Sequence, residues 1–313
     1  MPRPCSLLLA GLFALSGFAG VHAQTASVSI PAWFETNDCA LAPKFQALLN
    51  GKPTQVTAQL GPTSDQVILV VLDLTGDLAL IDPAKRALTD EISKLPANAW
   101  VGLLRDQDGL HVLADPGADR RPMIDAIQSL SNSGEPGLLE TVPSALSLAD
   151  AIMRKSPVRV SVLYITDGSI YGYREDYTNP VINESDPHDL SRRFPERLIE
   201  QKISRRVEDV SDLQAPLFVV HLNYRRDRLN QAYQNGLGIL AEATGGRSVI
   251  CRSVAEIPQA ISGILARILS AWRVTLEVPA KTRDNIQIQL SAPCPEGEPR
   301  ISWRTHLHSA GEG

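Results

Sequence analysis

The sequence predicts an α/β fold: a doubly wound, mostly parallel sheet with helices on both faces and small β flanks from the N- and C-terminal segments. Two observations carry this. The runs Gln66–Leu72 (QVILVVL) and Val158–Thr166 are apolar and β-branched without alternation, the pattern of strands buried on both faces, and each leads into an aspartate, Asp73 and Asp167. Segments of helical period separate such runs, and strands alternating with helices imply right-handed crossovers into a parallel sheet.

The elements follow in order. Arg3, an uncharged run from Leu7 to Val21, and Val21-His22-Ala23 read as a signal peptide over residues 1–23, its apolar run too short to span a bilayer. Residues 24–64 read as an N-terminal β segment, 65–271 as the α/β domain and 272–313 as a C-terminal β segment and tail. Within the domain, Asp82-Pro83 offers an N-cap and first-turn proline, and Ile81, Ala84, Leu88, Ile92 and Leu95 hold helical spacing up to Pro96. Trp100–Leu104 is a short strand, Met123–Leu130 and Pro143–Met153 are helices, and Leu217–Leu222 is a third apolar strand. Leu229–Thr244 makes a helix closed by Gly245-Gly246, and Ile257, Ile261, Ile264, Leu265 and Ile268 mark the face of a last one. The flanks alternate, as in Val274-Thr275-Leu276-Glu277-Val278 and Ile286-Gln287-Ile288-Gln289-Leu290, which predicts a small antiparallel sheet from both tails.

Composition narrows the function. With 313 residues, 43% hydrophobic and 21% charged, the chain is an ordinary globular protein. Its net charge of −5, or −6 once Arg3 leaves with residues 1–23, gives no general attraction to nucleic acid. No membrane span is expected after signal cleavage, so the product is periplasmic or secreted. There Cys39, Cys251 and Cys294 allow one disulfide, expected between Cys39 and Cys294, with Cys251 buried. His306 and His308 read as a solvated tail. No GxSxG elbow, Walker A loop or GxGxxG loop occurs, and His221 at a strand end reads as packing, not catalysis.

Ligands of open α/β sheets sit beyond the carboxyl ends of the strands, where Asp73 and Asp167 fall. Asp73, Thr75 and Asp77 set three side-chain oxygens at i, i+2 and i+4 on one loop, a pattern suited to a hard cation such as Mg²⁺. Here the chain resembles the von Willebrand factor A domain, in particular the bacterial VWFA-related group of exported proteins. The pieces are VILVVLDLTGD, VLYITDGS and LAEATGGRSV in that order, with FQALLNGKPTQV like the short segment preceding the domain; together they cover roughly residues 44 to 305.

The resemblance implies a metal-ion-dependent adhesion site built on an Asp-x-Ser-x-Ser loop, a Thr from a second loop and an Asp from a third. Asp73 then stands as the first Asp, Thr75 for the first Ser and Asp167 as the last Asp. Asp77 replaces the second Ser, and Thr141 is the candidate second-loop Thr, although the family spacing falls on Glu140. The implied ion is Mg²⁺ or Ca²⁺, and the implied partner is a protein offering it a carboxylate. Tyr171, Tyr173 and Tyr177 follow Asp167 among charged residues and suit protein recognition. Arg197, Arg205 and Arg206 alternate with Glu200, Glu208 and Asp209, which reads as an amphipathic surface helix.

The reading is therefore an exported protein-binding module, not an enzyme. Two alternatives stand beside it. A haloacid-dehalogenase-type phosphatase would use Asp73 as nucleophile, but Thr75 stands where its acid catalyst belongs. A metal-free structural module would keep the fold alone.

Overall fold

A computed structural model of the chain describes residues 25–34, 44–60, 65–173, 195–279, 285–293, 299 and 301–308. Residues 1–23, read above as a signal peptide, Tyr177, and the expected Cys39–Cys294 disulfide lie outside these residues. The strands are β1 (Thr25–Phe34), β2 (Gln46–Leu49), β3 (Lys52–Thr54), β4 (Val56–Leu60), β5 (Gln66–Asp73), β6 (Ala99–Asp106), β7 (Leu110–Gly117), β8 (Arg159–Thr166), β9 (Leu217–His221), β10 (Arg247–Ile250), β11 (Trp272–Pro279), β12 (Asn285–Ser291), β13 (Ile301–Trp303) and β14 (His306–His308). The helices are α1 (Leu78–Lys94), α2 (Arg121–Ser129), α3 (Leu138–Lys155), α4 (Pro195–Asp209), α5 (Arg228–Ala243) and α6 (Ile257–Leu269).

The central sheet runs β10-β9-β8-β5-β6-β7, parallel except for β7, which returns antiparallel to β6. This is a doubly wound α/β fold. Its faces follow from strand alternation: Ile68, Val70, Leu72, Leu163 and Ile165 pack against α1, α2 and α6. Val67, Leu69, Val71, Val162 and Tyr164 pack against α3, α4 and α5. All eight residues of β5 are buried, as its apolar run requires.

Both tails form β structure, in two antiparallel sheets where the sequence predicts one. Their orders are β13-β1-β11-β4 and β14-β12-β2-β3, and Ile30, Val274, Leu276, Ile286, Ile288 and Leu290 belong to one shared core. Trp33 ties this unit to the central sheet: its ring meets Phe218 edge-on at 5.5 Å and its Nε1 donates to Arg267 O at 2.7 Å. Arg304, 2% exposed, donates from its guanidinium to the carbonyls of Ser211 and Leu213.

Two expected helix starts shift, and one strand was not expected. Helix α1 begins at Leu78, not at Asp82, because the Asp77 side chain accepts from Ala79 N at 2.8 Å and supplies the cap. Helix α3 begins at Leu138 and carries Pro143 within it. Strand β7 had no sequence signature, since it is an edge strand whose residues are mostly exposed or half-buried, Val112 among them at 56%.

Candidate functional site

The parallel strands β5, β6 and β8 all end in aspartate or one residue before it, so Asp73, Asp106 and Asp167 gather at one edge of the sheet. Asp73 is wholly buried. Its Oδ1 accepts from Gly137 N at 3.1 Å, the residue preceding α3, and its Oδ2 accepts from Thr166 Oγ1 at 2.7 Å. The Thr166 hydroxyl accepts in turn from Gly168 N at 2.9 Å. Burial, and then the charge of Asp106 on the neighbouring strand, hold the Asp73 carboxyl well above the usual carboxylate range.

Asp167 does something different. Its Oδ1 accepts from Thr75 N and its Oδ2 from Gly76 N, both at 2.9 Å, so one carboxylate clasps the loop leaving β5. Burial pushes its pKa up, against these two backbone donors. Gly76 is required there, since a Cβ would stand 2.5 Å from Asp167 Oδ2.

Asp106 is the site residue that the sequence reading missed. It is 0% exposed, and its Oδ2 accepts from the Thr141 hydroxyl. With that proton committed, the Tyr164 hydroxyl, 2.9 Å away, donates to Thr141. Burial raises the Asp106 pKa to about 6. Its Oδ1 is buried without a hydrogen-bond partner and lies 2.2 Å from where a Cβ on Gly137 would stand. The signal was available: WVGLLRD ends in Asp as VILVVLD does, but the predicted strand stopped at Leu104.

The sequence-predicted ligands do not converge as the side chains stand. Both oxygens of Asp73 and of Asp167 hold protein donors, Asp77 caps α1, Thr75 is half-buried, and Thr141 turns to Asp106 instead of Asp73. Among the described residues no group of three or more His, Cys, Asp or Glu is arranged to hold a metal. In this arrangement the oxygens of Asp73, Asp77 and Asp167 are turned to protein donors and not to one shared open point of the kind that Mg²⁺ or Ca²⁺ takes.

Asp73 as an aspartyl nucleophile meets the same obstacle: it is buried, with both oxygens bonded. His221 donates from Nε2 to Gly168 O at 2.8 Å, its Nδ1 accepting from Asn223 N at 3.2 Å; burial lowers its pKa to about 4. It is a neutral strut for the loop after β8.

Of the predicted partner-binding tyrosines, Tyr171 is 58% exposed and donates to Asp227 Oδ1 at 3.0 Å. Tyr173 is 5% exposed, its ring 5.6 Å from that of Tyr233 and its hydroxyl 3.1 Å from the Tyr233 hydroxyl, so it supports the loop from beneath and offers no surface to a partner.

No protein-family model and no curated protein matches the chain. Among solved structures it is similar to a von Willebrand factor type A protein from Catenulispora acidiphila, at 13% identity and TM-score 0.47 over 88% of this chain and 74% of that one. It is also similar to the vWF domain of the type V pili tip protein Mfa5 from Porphyromonas gingivalis, at 14% identity and TM-score 0.43 over 67% of this chain and 96% of that one. A third is the conserved hypothetical protein BatB from Bacteroides thetaiotaomicron, at 16% identity and TM-score 0.39 over 66% and 98%. These are distant likenesses of fold to von Willebrand factor A-like and other proteins, and at such values none bears on function.

Proposed function

We propose that the protein is an exported binding module of the von Willebrand factor A type, directed by residues 1–23 to the periplasm or the exterior, which engages a protein partner at the C-terminal edge of its sheet. The observation that carries this is the Asp167 clasp on Thr75 and Gly76. It joins the loops after β5 and β8 into one surface, with Leu78 (54% exposed) and Tyr171 at its rim. A surface ordered in advance loses less conformational freedom on binding.

The reading needs no ion at the loop. Around it stand Asp77, Asp108 and Glu135, all exposed, with Asn132 Nδ2 donating to Gly76 O at 3.3 Å. Such a rim favours a partner bearing Lys or Arg over one bearing carboxylates.

The test compares capture of partners from periplasmic or culture extract by wild type, by the Leu78→Asp/Tyr171→Ala double variant and by Ile239→Asp on α5. We expect capture to be lost in the double variant, kept in Ile239→Asp, weakened by salt and indifferent to chelator. Equal capture by all three proteins sinks the proposal. A rise in unfolding midpoint with Mg²⁺ or Ca²⁺ that Asp73→Ala abolishes replaces this reading with an ion-dependent one.

A further inference from the structure

The opposite, N-terminal edge of the central sheet carries a cavity of about 310 Å³, between the start of β8 and strand β1. That is the size of a small-molecule site. Arg159 and Gln66 are Cα partners across β8 and β5, and both line it. Their side chains, with that of Ser161, fall on the face that carries Ile68 and Leu163. Arg159 spends Nη1 on Ala271 O at 3.0 Å, but its Nε and Nη2 are buried without partners. Gln66 donates from Nε2 to Ile268 O at 3.1 Å while its Oε1 is likewise buried and unpartnered.

Arg273 of β11 lines the same cavity, and no Asp or Glu among the described residues does. Burial, and then the charge of Arg273, lower the Arg159 pKa to about 10, which leaves it charged at neutral pH. Buried N–H groups of a guanidinium are costly to leave unmade, and native proteins rarely do so without a further partner. Trp33, Met153 and Val158 supply apolar wall.

We propose that this cavity is a binding site for a small organic hydroxycarboxylate. The carboxylate accepts from Nε and Nη2 of Arg159, two donors on one edge of the planar guanidinium, in the fork that suits carboxylates. The hydroxyl beside it donates to Gln66 Oε1, one strand away. An ammonium at that position would face two guanidinium groups, which selects the hydroxyl over the amine. The site is independent of the partner surface at the other edge.

The test is calorimetric titration of the purified protein with glycolate and with lactate, at ionic strength matched by chloride, with acetate, glycine and inorganic phosphate as comparisons. Saturable binding is expected for glycolate or lactate, weaker binding for acetate and none for glycine. Arg159→Met loses about tenfold or more in affinity. Ser161→Leu, which fills the cavity with an apolar side chain and keeps the guanidinium, also loses binding and keeps the test decisive if Arg159→Met fails to fold. No saturable binding of either hydroxycarboxylate, or unchanged affinity in Ser161→Leu, overturns the site. Equal binding of acetate overturns the assignment of the hydroxyl to Gln66, and tighter binding of phosphate overturns that of the carboxylate.

Discussion

At the C-terminal edge of the central strands the buried polar groups include the carboxylates of Asp73, Asp106 and Asp167, whereas at the N-terminal edge they include the Gln66 side chain and Nε and Nη2 of Arg159. The polarity of the crossovers explains the division. Helices begin at the first edge, and their N-terminal N–H groups favour anions: Gly137 N, at the head of α3, donates to Asp73, and Asp77 caps α1. Helices end at the second edge, where carbonyls seek donors. There Arg267 O, Ile268 O and Ala271 O, at the end of α6, accept from Trp33, Gln66 and Arg159. The edges differ as well in which groups are left unpaired. Both oxygens of Asp73 and Asp167 are bonded, while Arg159 and Gln66 each keep buried capacity unspent. At the first edge the unspent capacity is that of acceptors, Asp106 Oδ1 and Gln107 Oε1; at the second it includes the guanidinium donors of Arg159.

The comparison breaks most readily at Gly137. A Cβ there meets Asp106 Oδ1 at 2.2 Å, so Gly137→Ala should lose about 3 kcal/mol by urea denaturation. Adding Asp106→Ala should cost less in that background than alone, because the clash goes with the carboxylate. Asp167→Ala, which frees Thr75 N and Gly76 N, should lose about 2 kcal/mol. An intact midpoint in that variant would mean that the clasp does not order the loop.

Next in size is the pH dependence. Asp106 rises from its ordinary 3.8 to about 6, so the folded state binds more protons and its contribution to stability falls as pH climbs through that window. Asp73 and Asp167 act in the same direction. His221, lowered from 6.5 to about 4, contributes stability that grows with pH between those values. Relative to wild type, Asp106→Asn should therefore gain stability from pH 4 to 6 and His221→Gln should lose it, each by at most about 1.4 kcal/mol per pH unit. Denaturation midpoints across that range check both signs.

The other edge should respond mildly. Replacing a half-satisfied buried charge by an apolar chain of similar length is close to neutral, so Arg159→Met should stay within about 1 kcal/mol of wild type. A loss as large as that of Asp167→Ala would erase the contrast between the edges. Smallest of all, Tyr171→Phe should change stability by less than about 0.5 kcal/mol, since its hydrogen bond to Asp227 is exposed.

Much of this fold was legible because burial on both faces writes itself as an unbroken apolar run. Strands β5, β8 and β9 match the predicted runs to within a residue or so at each end, and the face of α6 is the predicted set of isoleucines and Leu265. Strand β7 was not legible, because an exposed edge strand needs no apolar pattern. The site was legible only as position. Strand ends placed Asp73 and Asp167, but which donors their oxygens take depends on backbone amides from loops distant in the chain, such as Gly137 and Thr75. Asp77 illustrates the ambiguity best: one oxygen two residues before Ala79 N serves a helix cap as readily as an ion. The unpartnered groups of Arg159 and Gln66 were invisible for the same reason, since an unmet hydrogen bond has no sequence pattern.

The pairing of β1 with β11 has a consequence for the order of events during synthesis. Ser29 Oγ lies 3.0 Å from Thr275 Oγ1, residues 246 positions apart. As a chain emerges from its N-terminus, β1 must wait for the whole α/β domain before its partner strand exists, and closing so long a loop is slow unless the intervening segment has already compacted. The β1–β11 pairing thus closes only over a finished α/β domain, and the pairings of β2 with β12 and of β1 with β13, whose second strands lie further along the chain, come after it.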